Sequence, residues 1–208
     1  MAPKQVPDII VGRLPLYLRA LELIGGDGET FVSSQELSHR LGISSAQIRK
    51  DLSQFGEFGV QGQGYSVQEL RAHLRQILRV DREWPVILVG AGHLGSAIAS
   101  YSGFAQRGFT VCAIFDNDPL KVGREVGGLR VRPMSELTAF IQANHIRLAM
   151  IAVPASAAQR VADQLVEAGV RAILNYAPID LTAPTRVRVE NVDPVLHLQH
   201  MTYYLAEA

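Results

Sequence analysis

Three glycines and one aspartate form the pattern with the clearest chemistry in this chain. Gly90, Gly92 and Gly95 follow an apolar run at residues 84–89, and Asp116 comes 21 residues after Gly95. A strand, a G-x-G-x-x-G turn and a helix bind a dinucleotide pyrophosphate, because the glycines let the backbone and the first helical N–H groups approach it. An acid about 20 residues later accepts hydrogen bonds from the adenosine ribose. We therefore predict a site for NADH or NAD⁺, and we expect NADP(H) to be disfavoured because no arginine adjoins the carboxylate.

The residues around this pattern alternate between short apolar strands and helices, which predicts a parallel sheet with right-handed crossovers. We predict strands at residues 84–89, 110–115, 129–131, 148–153, 171–174 and 186–192, and helices at 96–101, 135–144 and 157–168. Ligands bind beyond the carboxyl ends of such strands. The candidate cofactor-binding residues are therefore Gly90, Ala91, Gly92, His93, Leu94, Gly95, Asp116, Val153, Pro154 and Asn175. Pro154 can equally mark only the end of a strand.

The glycine turn begins unusually far along the chain, and the residues before it are typical of a separate helical domain. We predict helices at residues 15–24, 33–41 and 44–55, each ended by glycine, and only Gly42, Ile43 and Ser44 separate the second from the third. Ser33 with Glu36 and Ser44 with Gln47 have the spacing of capping boxes. A short glycine-containing turn between two short helices indicates a helix-turn-helix.

The third helix has two faces, as a DNA-recognition helix requires. Ile48, Leu52 and Phe55 lie at the spacing of a core face, whereas the opposite face carries small and basic residues. A glycine-rich segment at residues 56–65 predicts a β-hairpin that forms a wing, and a capped helix from Ser66 closes the domain. The candidate DNA-binding residues are Ser44, Ser45, Ala46, Gln47, Arg49, Lys50, Ser53, Gln61 and Gly62. The alternative is a solvated helix face that happens to carry basic residues, because this motif also occurs in folds that bind no DNA.

Composition limits the remaining possibilities. The chain has 208 residues, is 48% hydrophobic and 19% charged, and carries no formal net charge. Residues 1–80 contain nine Lys and Arg against eight Asp and Glu, so affinity for DNA would need a dimer and specific contacts. We expect no membrane span, because no apolar run approaches 18 residues, and no metal site, because the histidines lack ligand spacing. The single cysteine, Cys112, excludes an intrachain disulfide and is consistent with a cytoplasmic location.

The C-terminal segment is predicted to be a helix capped by Asp193 that begins at Pro194. Its apolar residues lie on more than one side, which predicts burial against another chain. We therefore expect a winged-helix DNA-binding domain at residues 1–80, a Rossmann NAD(H)-binding domain at 84–193, and a C-terminal helix at 194–208 that packs on the partner subunit. The fold class is α/β, with a winged helix-turn-helix domain, a Rossmann-like parallel sheet and a swapped C-terminal helix.

In this order, the two halves closely resemble the redox-sensing transcriptional repressors of the Rex family. The resemblance rests on Arg13-Leu14-Pro15-Leu16-Tyr17 with Arg19, Ile48-Arg49-Lys50-Asp51-Leu52-Ser53, Phe55-Gly56, Gly62, Gly64-Tyr65, residues 89–95, Phe115-Asp116, Val153-Pro154, Ile173-Leu174-Asn175 and Glu190-Asn191-Val192-Asp193. It implies a homodimeric repressor, not an enzyme, that binds an inverted-repeat operator in double-stranded DNA and is released by NADH. It also implies that Arg19, Tyr101 and Asp193 couple the two domains. The chain departs from many relatives at Gln61, where they carry Lys or Arg, and from some at Pro194, where they carry a bulky residue.

Three other interpretations stay open from the residues. A small NAD-dependent oxidoreductase would need a substrate domain, and the roughly 115 residues after the glycine turn barely accommodate the nucleotide fold itself. A CoA-binding protein would share the Rossmann core, but Asp116 favours a ribose diol. In the third interpretation the chain binds DNA and the dinucleotide is only structural.

Overall fold

The computed structural model describes residues 6–60 and 62–205. It divides into two compact units, Met1–Arg82 and Glu83–Ala208. None of its described helices is long and apolar enough to cross a membrane.

The first unit is a winged helix-turn-helix. Its elements are α1 (Asp8–Val11), α2 (Leu14–Gly26), β1 (Phe31–Val32), α3 (Ser34–Leu41), α4 (Ser45–Leu52), β2 (Gly59–Val60), β3 (Gly64–Ser66) and α5 (Val67–Ile77). β2 and β3 form the predicted antiparallel wing, and β1 pairs antiparallel with β3 on its other side. The sequence prediction missed β1, because two residues are too few to show an alternating pattern. The predicted extension of α4 to Phe55 is also wrong, since residues 53–55 form a turn.

Capping side chains set the start of the two helices of the motif. The Ser33 hydroxyl accepts a hydrogen bond from the N–H of Glu36, and the Glu36 carboxylate accepts one from the N–H of Ser33. This is the predicted capping box. Ser44 accepts in the same way from the N–H of Gln47, but the Gln47 side chain is bonded elsewhere, so the second predicted box is one-sided.

The core of the first unit forms where α2, α3, α4 and α5 meet. Its fully buried side chains include Leu14, Tyr17, Leu21, Leu37, Ile48, Leu70 and Leu74. Ile48 and Leu52 face this core as predicted, and Phe55 is only partly buried at its edge. Removing apolar side chains from water is the main driving force that holds the helices in place.

The second unit is a Rossmann-like domain. Its elements are β4 (Trp84–Val89), α6 (His93–Ala99), β5 (Phe109–Asp116), β6 (Glu125–Val126), β7 (Leu129–Pro133), α7 (Leu137–Ala143), β8 (Leu148–Ile151), α8 (Ala155–Ala168), β9 (Ala172–Asn175), β10 (Arg188–Asn191) and α9 (Pro194–Thr202). Within the described residues the strands form one seven-stranded sheet in the order β10-β9-β8-β4-β5-β7-β6. Strands from β10 to β7 pair in parallel, and the short β6, missed by the prediction, pairs antiparallel with β7.

The two faces of this sheet are covered differently. α7 and α8 pack on one face, where the strands contribute the buried side chains of Ile87, Val89, Phe115 and Ile151. α6 packs on the other face over β4 and β5. Beyond α6 this second face leaves an almost wholly apolar cavity of about 390 Å³, which we call the sheet groove. Its lining includes Val86, Tyr101, Phe104, Leu148, Met150 and Leu174.

The C-terminal helix begins at Pro194 as predicted. Asp193 Oδ1 accepts a hydrogen bond from the N–H of Val195 at 2.9 Å, which caps the helix. The apolar side chains of α9 and of the turn after it are all more than half exposed: Val195, Leu196, Leu198, Met201, Tyr203, Tyr204 and Leu205. A helix with this much exposed apolar surface is typical of a protein–protein contact.

Candidate functional site

The glycine turn joins β4 to α6 in a conformation that only glycine allows at two positions. Gly90 has φ +108°, and a Cβ there would overlap the carbonyl oxygen of Ala152 at the end of β8. A Cβ on Gly95 would overlap the carbonyl oxygen of Gly90. The turn therefore closes tightly against its own helix and against the neighbouring strand.

Gly92 differs from these two glycines, because a Cβ there would meet nothing within 4 Å. The space outside the turn is therefore open at the position where a pyrophosphate approaches the backbone. Gly92 is the N-cap of α6, and no side chain among the described residues caps this helix. The exposed His93 and Leu94 form its first turn, whose N–H groups have no partner within the helix. These residues fit a dinucleotide phosphate.

Asp116 lies beside this turn at the end of β5 and is only 5% exposed. Its Oδ2 accepts from the N–H of Ala91 at 2.7 Å, and its Oδ1 accepts from the N–H of Asp118 at 2.8 Å. The Lys121 ammonium donates to Oδ2 at 3.2 Å. Burial by itself would raise the pKa of Asp116, but the hydrogen bonds from Asp118, Ala91 and Lys121 outweigh burial and lower it. The carboxylate is therefore ionised and able to accept further hydrogen bonds.

Lys121 is a residue that the sequence interpretation did not consider, because it looked only for arginine beside Asp116. The sequence did indicate this contact, because a lysine five residues after the acid can fold back over it. A cation here reduces the repulsion that Asp116 would exert on a 2′-phosphate. The carboxylate alone is thus a weaker argument against NADP(H) than the sequence indicated.

The remaining predicted cofactor residues lie at the ends of neighbouring strands. Val153 and Pro154 follow β8, and the Val153 side chain lies next to Gly90. Pro154 is exposed and is the N-cap of α8, and because β8 already ends at Ile151, the predicted strand end at Pro154 is wrong. Asn175 is fully buried at the end of β9. Its amide donates to the carbonyl oxygens of Ala177 and Ile179, which argues for a role in shaping the loop rather than direct contact with a ligand.

The candidate DNA-binding residues lie on and before α4. Ser44, Ala46, Arg49, Lys50 and Ser53 are exposed, and Ser45 and Gln47 are partly exposed. Arg49 donates to Ser34 Oγ at 2.8 Å, which holds its guanidinium near the start of α3. In the wing, Gly62 is exposed with φ +82°, and Gln61 lies outside the described residues. The structure therefore gathers small and basic groups on one exposed face of the motif.

Asp51 is a second residue, after Lys121, that the sequence interpretation did not consider. It is fully buried and is held by Arg13, Tyr17 and Gln47. The sequence did contain an indication, namely a charged residue at a helix position that should be buried. Asp51 comes three residues after Ile48, on the face that Ile48 and Leu52 turn toward the core.

The predicted coupling residues lie in both units. Arg19 is exposed on α2 of the first unit, whereas Tyr101 and Asp193 belong to the second unit. Tyr101 is 55% exposed and packs edge-on against Phe104, with ring centroids 5.2 Å apart. Within the described residues, no group of three or more histidine, cysteine or acidic side chains could hold a metal ion.

Comparison with known proteins finds a family model that matches each half of the chain. A family model described as "CoA binding domain" matches residues 81–179, and one described as "Putative DNA-binding protein N-terminus" matches residues 5–53. The redox-sensing transcriptional repressor Rex of Chloroflexus aggregans is 52% identical over 97% of this chain and 95% of its own length.

Two solved structures resemble the fold over nearly the full length. A structure of RSP in complex with β-NAD⁺ and operator DNA has a TM-score of 0.91 at 40% identity, and covers 98% of this chain and 94% of that chain. A structure of RSP in complex with β-NADH has a TM-score of 0.90 at 38% identity, and covers 98% of this chain and 96% of that chain. Identity at this level over almost the whole length establishes the family that the sequence motifs indicated: the chain is a member of the redox-sensing transcriptional repressor Rex family.

Proposed function

We propose that this chain is an NADH-responsive transcriptional repressor of the cytoplasm. It binds an inverted-repeat operator in double-stranded DNA as a homodimer, dissociates when NADH binds, and catalyses no reaction. The proposal rests on the presence of two features in one chain. One is a winged helix-turn-helix, and the other is a glycine turn with open space at Gly92 and a buried aspartate beside it. The relative solved with NAD⁺ and operator DNA, and with NADH, supports the same pairing.

In the proposed cofactor site, the backbone of residues 90–95 holds the pyrophosphate, and Asp116 accepts from the adenosine ribose. Val153 and Pro154 border this site from the end of β8. NAD⁺ and NADH differ by one positive charge on the nicotinamide ring. An apolar nicotinamide site prefers the neutral ring of NADH, because burying an uncompensated cation is costly. This difference would let the protein sense the ratio of the two forms.

The homodimer is supported by two apolar surfaces of the second unit. The residues of α9 are exposed, and the surface that lines the sheet groove is almost wholly apolar, although Arg107, Arg188 and Glu190 border it. We propose that a second copy of the chain covers both, because an exposed apolar surface of this size is unfavourable in water. The two recognition helices of such a dimer must lie about 34 Å apart to read half-sites one DNA turn apart.

Coupling between the two units is proposed to pass through Arg19, Tyr101 and Asp193. Arg19 lies on α2 between the exposed side chains of Leu16 and Leu23, which are 46% and 60% exposed. These three side chains leave an exposed face on α2, and we propose that Arg19 makes different contacts there in the DNA-bound and NADH-bound states. NADH can shift the protein only by its differential affinity for the two states, and a shift from 1:99 to 99:1 requires about 5.5 kcal/mol. A rotation that changes the spacing of the recognition helices would then release the operator.

A gel-shift titration tests this function. Operators are selected by the full-length protein from random duplexes, and the complex is titrated with NADH and with NAD⁺ at one stated salt concentration. We expect an inverted repeat, release by NADH, and much weaker release by NAD⁺. Failure to select any sequence would contradict DNA binding. If the protein–DNA complex persists at saturating NADH, the dinucleotide has only a structural role.

A second candidate function is CoA binding, because the family model over residues 81–179 is described by that ligand. Asp116 argues against it, since a buried carboxylate at the end of β5 suits a free ribose diol. Calorimetry with CoA and with NADH separates the two candidates. Saturable oxidation of NADH by a panel of carbonyl compounds would instead favour an oxidoreductase.

A further inference from the structure

We propose that Asp51 is a positioning residue for operator recognition. It fixes both the position of α4 relative to α2 and the orientation of the Gln47 side-chain amide. The inference rests on the proposed function of α4 as the recognition helix. It adds Arg13, Tyr17 and Asp51, which do not face the DNA-binding surface, to the residues on which sequence discrimination depends.

The geometry is that of a carboxylate held from three sides. Arg13 donates through Nε to Oδ2 at 2.6 Å and through Nη2 to Oδ1 at 2.8 Å, forming a two-point ion pair. The Tyr17 hydroxyl donates to Oδ2 at 2.6 Å. Gln47 Nε2 donates to Oδ1 at 2.7 Å from one helical turn earlier in α4. Arg13 and Tyr17 lie at the start of α2, so the carboxylate ties the two helices together at one point.

An apolar residue at position 51 would hold the helices together without this network. Burying an ion pair gains little stability over well-packed apolar side chains, but its directional hydrogen bonds allow only one arrangement of the helices. Sliding or rotating α4 by a fraction of a turn would break the two-point contact with Arg13. The network therefore selects a single position for the face that carries Lys50 and Ser53.

The same carboxylate determines what Gln47 offers to a base. A carboxylate only accepts hydrogen bonds, so the atom of Gln47 that contacts it must be the amide nitrogen. The carbonyl oxygen of Gln47 is thereby left to accept from a base amino group, on adenine N6 or cytosine N4. An asparagine at position 51 both donates and accepts, so it would permit either orientation of Gln47. Discrimination at one base of each half-site should then be relaxed.

The test measures base discrimination by the full-length dimer on a selected operator, with all four bases placed at each half-site position. We expect Asp51→Asn to lower operator affinity by about tenfold and to relax preference at one position, with little change on random DNA. Gln47→Ala should relax the same position, and the double variant should lose no further preference at that position, although its operator affinity should fall further because α4 is held less firmly on α2. NADH affinity should not change. The fraction of each variant that is able to bind DNA is measured by titration at concentrations far above Kd. Unfolded protein is then not mistaken for weaker binding.

Tyr17→Phe and Arg13→Lys complete the test, because each keeps most of the packing while removing part of the network. Both should lower operator affinity because α4 is held less firmly on α2, while the carboxylate still orients Gln47 and preserves preference at its base position; this test stands even if Asp51→Asn does not fold. Arg49→Ala is the control, since it should weaken all sequences alike. The proposal is overturned if the wild type discriminates among operators while Asp51→Asn discriminates equally well, or if Tyr17→Phe and Arg13→Lys leave operator affinity unchanged. A wild type that selects no operator would instead refute the proposed function.

Discussion

The backbone N–H of Ala91 donates a hydrogen bond to Asp116 Oδ2 at 2.7 Å, which joins the glycine turn after β4 to the acid that ends β5. Asp116 thus holds the turn in shape, and in the proposed cofactor site it also accepts a hydrogen bond from the adenosine ribose. If both roles hold, one carboxylate fixes the distance between the proposed pyrophosphate and ribose sites. A change at Asp116 should therefore affect both parts of the dinucleotide.

We expect Asp116→Ala to weaken NADH binding by at least about tenfold, because it removes a ribose acceptor and leaves the N–H of Ala91 without its partner. Isothermal titration calorimetry measures the change. Glu167→Ala, which removes an exposed carboxylate from α8, is the control and should bind as the wild type does. Equal affinity in the two variants would contradict the assigned ribose contact.

Gly92 and Gly95 offer a matched pair of substitutions. A methyl group on Gly95 overlaps the Gly90 carbonyl oxygen, so Gly95→Ala should destabilise the second unit by roughly 1–3 kcal/mol. A methyl group on Gly92 meets no protein atom, so Gly92→Ala should fold normally and lose NADH affinity by obstructing the pyrophosphate. Thermal unfolding and calorimetry separate the two effects. The assignment fails if Gly92→Ala folds and still binds NADH at full strength.

Lys121 should influence the choice between NADH and NADPH. Its ammonium lies 3.2 Å from Asp116 Oδ2 and 3.8 Å from Asp118 Oδ2. Lys121→Ala removes the cation and leaves Asp116 to repel a 2′-phosphate, so the NADH-to-NADPH affinity ratio should rise. Competition binding of the two dinucleotides gives the ratio. Lys121→Arg, which keeps the charge, should leave it nearly unchanged, and the idea is refuted if both variants shift the ratio equally.

Acid should destabilise the second unit through Asp116. Its pKa is lowered in the folded chain, so its contribution is fully present above the unfolded value of about 3.9 and is lost as pH falls through the folded value. Trp84, the single tryptophan, lies in β4 and reports unfolding of this unit by fluorescence. The urea midpoint should fall as pH drops from about 5 toward 3, and it should fall less steeply in Asp116→Asn. Parallel pH profiles would exclude Asp116 as the cause.

Charge placed on α9 should dissociate the proposed homodimer. Leu198→Asp or Met201→Asp puts a carboxylate into a surface that we propose is buried by the second copy, where an unpaired charge is costly. Sedimentation velocity should then show a monomer that no longer binds the operator tightly. Gln199→Asp adds the same charge at a polar position of the helix and is the control. A stable dimer in all three variants would exclude α9 from the interface.

Local sequence patterns determined most of the elements that carry the site. The capping residues Ser33, Ser44 and Asp193 marked helix starts correctly, because the N–H groups they satisfy lie within three residues. The glycine turn was recognisable for the same reason, and Asp116 was recognisable from its fixed distance along the chain after that turn. The family followed from the order of these local motifs along the chain.

Only the tertiary structure decided which side chains meet. Asp51 is joined to Arg13 and Tyr17, which are 38 and 34 residues away along the chain, and no local pattern connects them. The short β1, the strand order of the sheet and the burial of Asn175 likewise depend on contacts between distant segments. Periodicity shows which face of a helix is buried, but it does not show what that face meets. The partners of a buried polar group are therefore known only once the chain has folded.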